Sequence, residues 1–272
     1  MPTNPVHGPD EPHKARGMAE SFGTDPARYD RARPRYPDAL VRRIAAAAPG
    51  GDVLDVGCGT GIAARQFRAA GCTVLGVDVD ARMAAFARGR GLPVEVAGFE
   101  AWDAAGRTFD AVVAGQTWHW IDPATGAAKA ADILRPGGRI ALMWNVYRPA
   151  DDLADAFAAA HRAALPDAPR TPWKRSAPDA YGAVFAKVVD SLRAAGSFGE
   201  PERWEVAWEQ PYTRDAWLEH LTTSGEAALH TPRQAADLLA RTGAVIDGLG
   251  GTFTMPYLTV AITAVRTGPA PS

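Results

Sequence analysis

The stretch that decides the fold reads Asp52-Val-Leu-Asp-Val-Gly-Cys-Gly-Thr-Gly61 and, after a helical run, Cys72-Thr-Val-Leu-Gly-Val-Asp78. Val53, Leu54 and Val56 form a short apolar run stopped by Gly57, Gly59 and Gly61. That is the pattern of a strand buried in a parallel sheet. The glycines let the backbone turn sharply and let a ligand approach main chain that a Cβ would shield. Ile62 to Ala70 reads as a helix capped by Gly71, and Thr73 to Val77 as a second strand ending in Asp78. An acid about twenty positions beyond the first glycine is placed to hold the hydroxyls of a ribose. The unit reads as a nucleoside seat.

The spacing narrows the nucleoside. A dinucleotide fingerprint, Gly-x-Gly-x-x-Gly, would put its third glycine at position 62, where Ile62 stands, and no phosphate loop ending in Gly-Lys-Ser/Thr is present. Gly-x-Gly-x-Gly after Leu-Asp-Val resembles motif I of the class I methyltransferases that use S-adenosylmethionine (SAM). Arg135-Pro-Gly-Gly138 and the phrase Tyr29-Asp-Arg-Ala-Arg-Pro-Arg-Tyr-Pro37 resemble the type 11 small-molecule group of that family. The resemblance implies a doubly wound, mostly parallel α/β sheet of seven strands with an antiparallel edge strand. It implies SAM as cofactor, S-adenosylhomocysteine (SAH) as product, and an O, N or C nucleophile on a small molecule as acceptor. In these terms Asp55, Gly57, Cys58, Gly59 and Gly61 hold the methionine part. Asp78 and Val79 serve the ribose, Phe99 and Glu100 the adenine, and Ala114 and Gln116 complete the cofactor wall. Tyr29 and Arg33 reach the cofactor carboxylate or the acceptor. Gly98 fills the slot where the family usually has an acid for the adenine amine.

Working outward, strand and helix alternate from Val53 to Trp144, with strands expected at 94–97, 109–114 and 140–144 and a helix from Asp122-Pro123 to Leu134. That alternation indicates right-handed crossovers. Arg135 to Gly138 has the proline and glycines of a type II turn. After Asn145 the period becomes helical: Leu153, Phe157 and His161 share one face, and Tyr181, Val184, Phe185, Val188 and Leu192 another. Residues 148–200, with a proline-rich piece around Trp173, are expected to form a helical lid. Trp204 to Trp208 and Thr252 to Val265 then return as strands forming the antiparallel edge, and Thr231-Pro-Arg-Gln234 is a capping box.

The 272 residues, 47% hydrophobic, suffice for one substantial core. We expect one domain over 21–266, a disordered tail over 1–20 and a short tail over 267–272. Net charge is −2 with no basic block, which argues against nucleic acid as partner. No apolar run is long enough to span a bilayer and no signal peptide is evident, so no membrane partner and a cytoplasmic location are expected. Cys58 and Cys72 offer neither a disulfide framework nor a zinc set.

Transfer from a sulfonium needs an oriented nucleophile, and a base only where that nucleophile carries a proton. His119, past the fourth strand, is the candidate base, or else a ring that fixes its loop by a hydrogen bond. Trp118, Trp120, Trp144, Tyr147 and Trp173 are candidate acceptor walls, or else core. Gly115-Gln116-Thr117 occupies the place where metal-dependent relatives cluster carboxylates, so no metal is expected.

Overall fold

The computed structural model describes residues 22–168, 171, 173, 181–224 and 230–268. The expected tail at 1–20, most of the proline-rich piece and the last four residues lie outside them.

Seven strands form one sheet in the order β3-β2-β1-β4-β5-β7-β6. They are β1 (Asp52–Val56), β2 (Thr73–Asp78), β3 (Val94–Val96), β4 (Phe109–Gly115), β5 (Leu134–Tyr147), β6 (Glu202–Thr213) and β7 (Thr252–Val265). β1 to β5 pair in parallel, whereas β7 runs antiparallel to both β5 and β6. The last two strands form the antiparallel edge expected, with β7 one place in and β6 closing the sheet. β5 is longer than expected. Arg135 to Gly138, read from sequence as a free turn, is held inside it, with Gly137 at φ +77° and the register to β4 shifted. The backbone of Arg266 explains this, because its carbonyl accepts from the Gly137 amide at 3.0 Å and ties the glycines to the end of β7.

Strand alternation sends Leu54, Val56, Val112, Leu142 and Trp144 to one face, and Val53, Val74, Ala111, Val113 and Met143 to the other. Both faces are covered, which is why β1 and β4 are nearly continuous apolar runs. On the second face lie α2 (Asp38–Ala47), α3 (Ile62–Ala69) and α4 (Ala81–Gly89), presenting Leu40, Ile44, Phe67 and Ala84. On the first lie α5 (Pro123–Ile133) and α7 (Gly182–Ala194), with Phe185, Val188 and Leu192 packed into the main core. Half of the expected lid is thus a structural layer: the stripe from Tyr181 to Leu192 is apolar because it covers β5 and β7. A separate cluster gathers α6 (Asp151–Ala164), α8 (Arg214–Thr222) and α9 (Pro232–Gly248) around Trp217 with the first residues of β7. Because Tyr147 pairs with Tyr257, this cluster lies beyond the carboxyl end of β5.

Helix α9 starts on the capping box read from sequence: the Gln234 amide donates to Thr231 Oγ1 at 3.3 Å, and the Thr231 amide to Gln234 Oε1 at 3.0 Å. Thr231→Ala should lower stability by about 1 kcal/mol in a denaturant melt and leave ligand binding unchanged.

Candidate functional site

Open parallel sheets leave the carboxyl ends of their strands free of crossovers, and a crevice forms where neighbouring connections run to opposite faces. Here that point falls between β1 and β4, and a cleft of about 1370 Å³, counting its open mouth, lies over it. Three backbone features shape its floor. Gly57, Gly59 and Gly61 have φ of +64°, +55° and +84°, values costly for any residue with a Cβ. A Cβ at Gly57 would sit 2.7 Å from Thr117 Cβ, so close approach requires glycine there as well. The Gly57 amide donates to the Val77 carbonyl at 2.7 Å, pinning the loop to β2.

Asp78 completes the loop. Its Oδ2 accepts from the Gly59 amide at 2.7 Å and its Oδ1 from the Asp80 amide at 2.8 Å. The glycine bend and the acid ending the next strand are therefore physically joined and line the same cleft. Burial pushes the Asp78 carboxyl above its ordinary value, and the two amides pull it back.

Asp55 is the unusual group. It ends β1, is 1% exposed and lines the cleft; the Ala64 backbone amide steadies it, and no side chain pairs with its carboxylate among the described residues. Burial pushes it up to about 8. A buried acid without a side-chain partner is costly, and such groups concentrate where a ligand supplies the missing partner.

The roof comes from the N-terminal segment. Helix α1 (Pro26–Ala32) brings Tyr29 and Arg33 to the cleft, with the Arg33 guanidinium 4.8 Å from the Tyr29 ring centroid. Asp30 pairs with Arg65 of α3 at 2.6 Å on one side. On the other, Arg33 donates to the Thr223 carbonyl, Arg31 pairs with Glu219, and His220 Nδ1 donates to the Ala32 carbonyl at 3.0 Å. The segment is a strap fixed at both edges.

Of the residues singled out from sequence, the structure brings to the cleft Tyr29, Arg33, Asp55, Gly57, Cys58, Gly59, Asp78, Val79, Phe99, Glu100, Gln116 and Trp120. Gly61 shapes the turn from outside the wall, and Ala114, 1% exposed, is core. Three aromatic assignments are corrected outright. Trp118 and Trp144 are buried in the main core against Phe99 and Phe185, because a 3-10 turn and strand alternation aim them away from the cleft. Trp173 belongs to the cluster around Trp217. Tyr147 is packed beside that cluster and donates its hydroxyl to His220 Nε2. The position of His119 does not suit a base: it is off the cleft wall, and Trp144 Nε1 donates to its Nδ1 at 3.5 Å. Burial pushes both His119 and His220 down to about 3. Their ring protons should show flat NMR shifts between pH 5 and 8; a titration near pH 6.5 would contradict these environments.

Residues that sequence reading missed include Ile121 and Asn145. Asn145 had a signal, a lone amide closing the apolar run Ile140 to Trp144. Tyr36 belongs to the phrase Tyr29 to Pro37, and the fold lays it against Gly115, leaving no room there for a side chain.

Fold and cleft together define a doubly wound α/β protein with a ligand-sized cleft at its switch point. The family model of a methyltransferase domain matches residues 54–142, the part carrying the glycine loop, Asp78 and β4. The chain is 29% identical over 259 residues to uncharacterized methyltransferases of Mycobacterium tuberculosis and Mycobacterium bovis, covering 92% of this chain and 97% of theirs. A ubiquinone biosynthesis O-methyltransferase of Thiobacillus denitrificans is 36% identical over 97 residues, 33% of this chain and 42% of that protein. Among solved structures, one titled as a type II methyltransferase candidate from Anaeromyxobacter dehalogenans superposes with a TM-score of 0.64 at 25% identity, covering 87% of this chain and 99% of that one. These matches support a SAM-dependent methyltransferase, with the methyltransferase domain over residues 54–142.

Proposed function

We propose that this protein transfers the methyl group of SAM to a small-molecule acceptor held at the carboxyl ends of β4 and β5. The observation that carries the reading is Asp55, a buried acid with no side-chain partner among the described residues, facing the same cleft as the loop-bound Asp78. SAM brings an ammonium and a sulfonium, and a site with one such acid suits that ligand. Asp78 keeps oxygen lone pairs to receive ribose hydroxyls while its amide contacts hold the loop. Phe99 and Glu100, at the β3 side, fit the adenine. Thr117, whose hydroxyl donates to the Val56 carbonyl at 2.8 Å, packs against Gly57 and keeps the loop in register.

Held by Asp55, the glycine loop and Asp78, SAM would supply an activated methyl to a lone pair of the acceptor and leave as SAH. The chain's own work is then orientation and exclusion of water beneath the α1 strap. The cleft runs from Asp78 and Phe99 to Gln116 and Trp120, which favours cofactor and acceptor side by side. Trp120 and Ile121 give the acceptor end an apolar wall.

Incubation with methyl-labelled SAM and a fractionated cell extract tests this. Label should enter the small-molecule fraction. Label migrating with protein or nucleic acid would replace the acceptor class, and SAM binding with no label would make the protein a binding module.

A further inference from the structure

Gln116 is the strained residue of the cleft. Among the described residues, only Ala105 and Gln116 are non-glycine residues with positive φ, and Ala105 does not line the cleft. Gln116 sits at φ +61° directly after β4, its amide donating to the Met143 carbonyl at 2.8 Å. Glycine would hold that backbone without strain, so a side chain kept there suggests use.

The orientation of that side chain is determined. Nε2 donates to the Asn145 carbonyl at 3.1 Å, a contact the oxygen cannot make, so Oε1 is turned the other way. Asn145 is itself fixed: its Nδ2 donates to the Arg35 carbonyl at 3.2 Å, and its Oδ1 accepts from Thr259 at 2.6 Å. Oε1 is buried in the cleft wall with no hydrogen-bond partner among the described residues. It is an acceptor atom preorganised by two further residues and left empty-handed.

Its place in the sheet says which ligand it meets. β2 and β3 lie on one side of β1, and β4 and β5 on the other. With ribose at Asp78 and adenine beyond it, Gln116 stands at the far end of the cleft, beside Tyr36 and Trp120. We infer that Gln116 is a positioning and specificity residue. Its Oε1 accepts a hydrogen bond from a hydroxyl or N–H on a flat, largely apolar acceptor, so the site takes alcohols, phenols or amines and rejects carboxylates. A carboxylate would place a second acceptor, bearing charge, against an oxygen that cannot donate. The amide is no base; it orients.

This inference rests on the cofactor reading, and the test separates the two. Protein saturated with SAH is titrated by ligand-detected NMR with p-cresol, 4-methylanisole and p-toluate, which share a ring but differ in carrying a donor, an ether or an anion. Wild type should bind p-cresol about fivefold or more tighter than 4-methylanisole and show no p-toluate signal. Q116L should reduce the preference for p-cresol to within about twofold; because Gln116 was expected on the cofactor wall, a loss of SAH affinity by calorimetry of about tenfold or more would put its Oε1 on the cofactor and overturn the acceptor role. Q116N, tolerated at positive φ, retracts the oxygen by one methylene and should also lose the preference should Q116L fold poorly. Equal binding of p-cresol and 4-methylanisole by wild type, binding of neither, or a preference surviving both substitutions overturns the role of Gln116 alone. Failure of wild type to bind SAH overturns the cofactor reading and this inference with it.

Discussion

Asp55→Asn should yield a protein that is more stable than wild type and worse at binding. In the folded chain Asp55 is raised from 3.8 to about 8, so the native state holds its proton more tightly than the unfolded chain. The sign follows from linkage: native stability falls as pH rises from about 4 towards 8, as the unfolded chain gives up a proton that the folded chain retains. Asparagine has no such proton to lose. Below about pH 4 the side chain is neutral in the folded and unfolded chains of both proteins, which should then differ least in melting temperature. By pH 8.5 the variant should gain about 2 kcal/mol, or about 4–8 °C in melting temperature. Its affinity for SAM should fall by about 10–100-fold, because the ammonium loses a charged partner in a buried setting. In wild type, SAM affinity should rise between pH 6 and 7.5, below the range where an α-amino group loses its own charge at about 7.7–8.0. Proton release should appear in calorimetry as a dependence on buffer ionisation heat. Equal melting temperatures across pH would show that Asp55 has partners the structure does not display.

The second large effect belongs to Asp78. Asp78→Ala removes both acceptors of the Gly59 and Asp80 amides and opens the junction between the glycine bend and β2. The loss therefore reaches beyond the ribose: the loop backbone, held at positive φ by that contact, no longer has a single arrangement. SAH affinity should drop by at least about 100-fold, more than one ordinary hydrogen bond supplies, since charge-assisted bonds are worth about 1.5–3 kcal/mol each. Melting should shift by only a few degrees, as β1, β2 and β4 retain their packed faces. A loss below about tenfold would mean that the ribose is held elsewhere.

What the sequence made legible was whatever constrains backbone. The glycine spacing, the acid ending β2, the strand–helix rhythm up to Trp144 and the Thr231 cap each depend on local geometry and on neighbours a few residues away. The aromatic residues were harder to place because their role is decided by direction. Trp118, Trp120 and Trp144 are chemically equivalent in the chain, and only the 3-10 turn and the pleat of β5 send one to the cleft and two to the core. The lid was over-read for a related reason. An amphipathic stripe shows that a helix covers something, and the stripe of α7 covers the sheet. Tyr36 and Asn145 reach the cleft through sheet order, which joins segments a hundred residues apart. His119 sat at the right sequence position, but its tryptophan neighbour holds it as a neutral ring outside the wall.

A crystal grown with SAH and refined at high resolution is the most direct test of the central claim that one cleft seats an adenosyl ligand between the Gly57–Gly61 bend and Asp78. The predicted map shows the ribose hydroxyls on the Asp78 carboxylate and the ammonium against Asp55. Density for SAH outside that cleft, or an Asp78 side chain turned away from the ribose, would contradict it.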